Sequence, residues 1–263
     1  MIDGREDQAS GLRRLFRQAP PLVVALYSGG RHRTHNAVLA AHRIAGHQHK
    51  VLIVDEVDGE GALAEALATG PGRDLVQLLD GRTTLADVVQ PVPGLVGRVP
   101  AVAASLTLPL LDEARRACLV EALRILHRHA GFVLIHADSN SEPSPFVHAA
   151  PRRLVVAEAS ASGATDAYRT IKNLAAAGAG SVHLAVCRAR TRAEARAFFD
   201  SLQDLVRRHV GVPLAWLGEV ERDDLAVGMV GPVAPALPRT IGAGFPWRID
   251  DGAETRRWVA PRL

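Results

Sequence analysis

The sequence predicts an α/β fold: a doubly wound, mostly parallel sheet flanked by helices, with a short helix ahead of it. Three observations predict this. Short apolar runs alternate with longer helical patterns between residues 22 and 217, the rhythm of repeated βα units. The first run, LVVALY, breaks at Ser28-Gly29-Gly30 and leads directly into a helical pattern, the strand–loop–helix order of a phosphate loop. A hydrophobic content of 48% over 263 residues, with a mean hydropathy of +0.06, suffices for one large domain or two small ones.

The elements follow in order. Residues 5–18, REDQASGLRRLFRQ, carry Ala9, Leu12, Leu15 and Phe16 at helical spacing. Gly11 weakens that helix by about 1 kcal/mol relative to alanine, and Pro20-Pro21 ends it with a stiff link. Two readings stay open for it: a helix packed on its own domain, or a tethered recognition helix that folds on a partner. Residues 22–27 form the first strand, 34–46 a helix, and 50–54 a second strand closing at Asp55. Residues 62–68, 74–79 and 84–89 are predicted helices, and 91–100 a loop around a short strand. A long helix is expected over 110–130. Strands at 132–135 and 153–157 precede a helix at 165–177. A strand at 182–186, a helix at 192–209 and a strand at 214–217 complete the alternation. Residues 231–263 hold five prolines and little periodicity, so an irregular tail is expected. The predicted organisation is a helix and linker over 1–20, an α/β domain over 21–230, and the tail.

Composition narrows the function classes. Charged residues make up 22% of the chain and the net charge is only +3, despite a pI near 9.3. Aromatics are 4%, and arginines are interleaved with acids. With neither a basic stripe nor a stacking platform, nucleic acid is not an expected partner. Cys118 and Cys187 stand far apart and outside any CxxC pair, so neither a disulfide nor a zinc site is expected. His32, His35, His42, His47 and His49 cluster in sequence, but no carboxylate or cysteine completes a ligand set of known spacing. Asp3, Glu6 and Asp7 argue against a signal peptide, and no apolar run reaches the length of a membrane span. A soluble cytoplasmic protein is expected.

A working phosphate loop needs glycines for close backbone approach, then a lysine, then a hydroxyl for magnesium. Gly29, Gly30 and Thr34 are present. His32 takes the place of the last glycine, Arg33 that of the lysine, and Arg31 lies between. A histidine in a glycine position is expected to obstruct the loop's N–H groups and to strain the backbone. Arginine keeps the charge of lysine but not its compact geometry.

Four stretches together carry a resemblance. They are SGGRHRT with HNAVLAAHRIA, KVLIVDEVDGEGAL, TTLADVV with Val99-Pro100-Ala101, and ATDAYRTIKNL followed by WLGEVERDD. In this order they resemble the MinD/ParA-like P-loop ATPases and, within them, the FlhG (FleN, YlxH) regulators of flagellar number. The resemblance covers residues 22 to about 230. DQASGLR, Asp7 to Arg13, is similar to the motif by which FlhG proteins activate the GTPase FlhF. That match implies that Asp7, Gln8, Ala9, Leu12 and Arg13 act on a partner GTPase. Gln8 would orient the attacking water, Arg13 would support the charged site, Asp7 would cap the helix, and Ala9 and Leu12 would make apolar contacts.

The same resemblance locates losses. The family's dimer-bridging lysine falls on Ser28. Asp55 matches the first switch aspartate, but Val57 replaces the second, with Asp58 next door. His136 stands where the family has a metal-side aspartate, with Asp138 two residues on. Cys187 matches the asparagine that reads adenine. Asp166 is read as a cap or dipole partner near a helix start. Gly29, Gly30, Arg31, Arg33, Thr34 and Asp55 thus form a vestigial nucleotide site, and no intrinsic catalytic residue or metal site is expected.

The resemblance implies a flagellar regulator that binds an FlhF-like GTPase through its first helix, with a pseudo-ATPase domain as scaffold. No cofactor is expected. A weak ATP, ADP and magnesium site using Arg31, Arg33 and nearby histidines stays open, as does a divergent, active MinD-type ATPase that dimerises and binds membrane. Flagellar switch components or a transcription regulator are further partners the family implies.

Overall fold

Strand β1, Leu22–Ser28, is buried along six of its seven residues, which only an interior strand covered on both faces allows. The computed structural model describes residues 21–46, 48–59 and 62–230. Six further strands join β1 in one sheet: β2 Val51–Asp55, β3 Gly97–Pro100, β4 Phe132–His136, β5 Arg152–Glu158, β6 Val182–Cys187 and β7 Leu214–Glu219. The spatial order is β3-β2-β4-β1-β5-β6-β7, and every pairing is parallel. The predicted α/β sheet is therefore present.

The helices are α1 Arg33–Ala45, α2 Leu63–Ala66, α3 Leu75–Leu79, α4 Leu85–Val88, α5 Val102–Thr107, α6 Glu113–His129, α7 Pro145–Ala149, α8 Ala161–Ala176, α9 Arg192–His209 and α10 Leu225–Met229. They cover both faces of the sheet. On one face Leu119 and Leu123 of α6, Ile171 of α8 and Phe199 of α9 pack on the side chains of Ala25, Val133 and Val155. On the other, Ala37 and Ile44 of α1 and Met229 of α10 meet Val24, Ile53 and Leu134. Alternation along each strand divides the two cores.

Side-chain caps set several boundaries that apolar periodicity misplaces. Helix α8 starts four residues before its predicted start at 165, because the Ser160 side chain accepts the Gly163 N–H. Asp166 is consequently inside the helix rather than at its start. The predicted helix over 110–130 becomes a 3₁₀ turn, Leu108–Leu110, and then α6, whose first turn is capped by Asp112 through the Arg115 N–H. Helix α5 falls in a stretch without a prediction. So do α7, opened by Ser144 with Pro145 in its first turn, and α10, capped by Asp224. The predicted helix at 5–18 and the tail at 231–263 lie outside the described residues.

Candidate anion loop and switch site

The register of β1 against β5 fixes what the loop meets. Ser28 pairs with Val156, and the Gly29 N–H continues the ladder to the Val156 carbonyl at 3.1 Å. The last residue of β5, Glu158, is therefore carried up beside the loop, at the carboxyl edge of the sheet where ligands of such folds bind.

Two of the loop's donors are turned toward carboxylates of the protein itself. The Gly30 N–H donates to Asp166 Oδ2 at 3.0 Å. The His32 N–H donates to Glu158 Oε2 at 3.3 Å, and His32 Nδ1 lies 3.1 Å from the same oxygen. Both glycines are needed for these contacts. A Cβ on Gly29 would fall 2.8 Å from Asp166 Cβ, and one on Gly30 would fall 2.8 Å from Glu158 Cβ and 2.9 Å from its Oε2. Gly30 also has a φ of +89°, which favours glycine. Burial pushes the Glu158 carboxyl up, but the His32 hydrogen bonds and the charges of His32 and Arg188 outweigh it and hold the group below its usual range.

His32 corrects one expectation. Its φ of −109° and ψ of 30° lie on the right-handed side of the map, so it carries none of the left-handed strain predicted for it. Its side chain acts instead by reaching Glu158. His32 also stands at the N-cap of α1, where no side chain caps the helix.

The switch aspartate has a structural job. Asp55 is wholly buried, and its Oδ2 accepts Arg98 Nε at 2.7 Å and the Leu63 N–H at 3.1 Å. Its Oδ1 meets His136 Nδ1 at 2.8 Å and accepts the Val57 N–H at 3.4 Å. Burial pushes this carboxyl up, while His136 and Arg98 bring it down past its ordinary value. Arg98 is itself buried and donates onward to Gln90 Oε1 at 2.7 Å. Val57 is buried against this arrangement, and the exposed Asp58 carboxylate accepts the N–H of Gly59. Asp138 likewise serves its own turn, accepting from the Asn140 N–H at 3.1 Å.

Between loop and switch runs an open cleft of about 1290 Å³. It brings Arg31, Thr34, Val57, Asp58 and Arg98 to one surface, with Leu106, 75% exposed, at its rim. Thr34 keeps its hydroxyl there, and Arg31 is exposed. Cys187 is buried, its Sγ 3.5 Å from the Ala157 carbonyl, and burial first, with help from Glu221 and Glu158, pushes its thiol up to about 12. Asp7, Gln8, Ala9, Leu12 and Arg13 fall outside the described residues, as does His47.

The residues present do not fit a magnesium–nucleotide. The Gly30 and His32 N–H groups face carboxylates, and the Asp55 oxygens are taken by Arg98, His136 and two backbone N–H groups.

Sequence reasoning missed Glu158, Arg98 and Asp166 as partners of the site. Glu158 had one readable signal: an acid just past the end of the strand predicted over 153–157. Arg98 had none, since its role depends on β3 lying beside β2. Glu56 was also missed. Burial, with a contribution from the Asp55 charge, raises its carboxyl to about 7 against the Ser144 hydroxyl, which donates to it at 2.8 Å.

No family model matches the chain. It is 27% identical to the antiactivator FleN of Pseudomonas aeruginosa over 229 residues, covering 84% of this chain and 82% of that protein. Among solved structures it resembles the MinC:MinD cell division complex of Aquifex aeolicus, with a TM-score of 0.53 and 18% identity over 78% of this chain and 86% of that one. A ParA family ATPase of Chlorobium tepidum gives a TM-score of 0.51 at 16% identity, over 80% and 96%. Cobyrinic acid a,c-diamide synthase of Mycobacterium smegmatis, solved with ADP and magnesium, gives 0.50 at 18%, over 79% and 90%. The structural likenesses carry the fold alone.

Proposed function

We propose that this chain, which is similar to the antiactivator FleN of Pseudomonas aeruginosa, is a FlhG/FleN-like member of the MinD/ParA family and regulates flagellar number or placement by binding proteins and not by its own ATP hydrolysis. The segment over residues 1–20, with Asp7, Gln8, Ala9, Leu12 and Arg13, engages an FlhF-like GTPase and speeds its GTP hydrolysis. Phosphoryl transfer mostly needs a positioned water and neutralised charge, both of which a glutamine and an arginine can supply in trans. The α/β domain is the scaffold. Further partners fall in the same class: a flagellar transcription regulator or flagellar switch components. The protein works in the cytoplasm and reaches the pole or membrane through such partners.

The observation that supports the scaffold reading is the Asp55–Arg98–His136 cluster: both Asp55 oxygens are taken by Arg98, His136 and two backbone N–H groups. The test has two arms. The full chain and a peptide of residues 1–20 are added to an FlhF-like GTPase, and GTP turnover is followed. Stimulation that disappears with Gln8→Ala is the expected result, and no stimulation rejects the role. In the second arm, ATP with magnesium is titrated into the protein. Micromolar affinity or turnover rejects the scaffold reading in favour of a divergent MinD-type ATPase.

A further inference from the structure

The Glu158 carboxylate lies where an incoming anion would have to lie, on the His32 N–H and against Gly30 at the foot of α1. We infer that Glu158 is a built-in anion that closes the loop to phosphorylated ligands, an inference that rests on the scaffold reading.

Three observations carry it. A single oxygen, Oε2, takes both the His32 N–H and the His32 ring, and the same atom would lie 2.9 Å from a Cβ on Gly30. The carboxylate therefore touches the loop backbone itself. Asp166, from α8, takes the Gly30 N–H at 3.0 Å, so two neighbouring donors are used by two acids from different elements. The side chain of Glu158 is only 12% exposed and is held in its ionised form by His32 and Arg188. An ionised carboxylate in such a place repels a second anion far more strongly than a solvated one does. The cradle that would favour phosphate at the start of a helix is thus already filled from within.

The arrangement also explains why the loop keeps Gly29 and Gly30 although lysine and the third glycine are gone. Each glycine makes room for an acid-bearing side chain of α8 or β5.

The test uses the full chain, with magnesium–ATP and pyrophosphate as probes, in low-salt calorimetry. Four proteins are compared: the wild type, Glu158→Gln, Glu158→Ala, and Glu121→Gln as a charge-matched control on the exposed face of α6. The two Glu158 variants are expected to bind at least about tenfold tighter than the wild type, and the control to show no gain. Weak binding by the wild type and by both folded Glu158 variants overturns the inference and leaves the scaffold reading standing. An equal gain in the control also overturns it. Micromolar binding by the wild type overturns both. If the variants fail to fold, the wild type still decides: its His32 amide resonance must follow a carboxyl titration with a midpoint below 4.5, the ordinary glutamate value. The absence of that titration overturns the inference.

Discussion

Arg98 Nε donates to Asp55 Oδ2 across 2.7 Å, and the two side chains are 4% and 0% exposed. A charge pair this deep is stable only while both members and their remaining hydrogen bonds are in place. Here Gln90, His136 and two backbone N–H groups complete it.

Asp55→Ala is therefore expected to cost about 3–5 kcal/mol, because it strands a buried guanidinium. Urea unfolding at neutral pH measures this as a lower midpoint. Asp55→Leu combined with Arg98→Met is expected to recover part of the loss, since apolar residues can replace a buried pair. A loss below about 1 kcal/mol in the single variant would contradict the buried-pair assignment.

Acid stability depends on Glu158. Its folded carboxyl sits below the ordinary value, so the stability it contributes is present above the unfolded value near 4.5 and is lost as pH falls through the lower folded value. Glu158→Gln is expected to flatten the acid limb of a melting-temperature profile as pH falls below the unfolded value near 4.5. An unchanged limb would show that the His32 contact does not form in solution.

Glu56 works in the opposite sense. Its folded carboxyl is raised to about 7, so its contribution is full below the unfolded value and falls away as pH rises to about 7. Glu56→Gln keeps a group that Ser144 can bond and removes the buried charge. The variant is expected to be more stable than the wild type at pH 8 by on the order of 2 kcal/mol, and to converge with it near pH 5. Chemical denaturation at the two pH values checks this.

Gly163 in the first turn of α8 is expected to tolerate no side chain. A Cβ there would lie 2.1 Å from the Glu158 carbonyl oxygen, so the helix would have to lift from the strand end. Gly163→Ala is expected to cost about 1–3 kcal/mol and to loosen the Asp166–Gly30 hydrogen bond. Faster hydrogen exchange at the Gly30 amide reports the second effect.

Much of the fold was legible from the chain. Apolar runs such as VLIV and FVLIH carry no alternation and are bounded by turn residues, so they announce buried parallel strands. Boundaries were less legible where one capping side chain outweighed periodicity, as Ser160 does for α8. Within the site, Gly30, Arg31, Thr34 and Asp55 could be picked out by position alone, because strand ends meet at one edge of a parallel sheet.

The sequence by itself determined the α/β architecture, the site's location at the end of β1, and the absence of lysine and glycine from a loop that otherwise keeps its frame. It could not decide what the loop's donors bind. That followed from sheet order and register, which bring Glu158 and Asp166 to Gly30 and His32 across more than a hundred residues. It could not decide the job of Asp55 either, since Arg98 reaches it only because β3 pairs with β2. The physical reason is common to both: hydrogen bonds and ion pairs act over about 3 Å, and only the folded chain sets which groups lie that close.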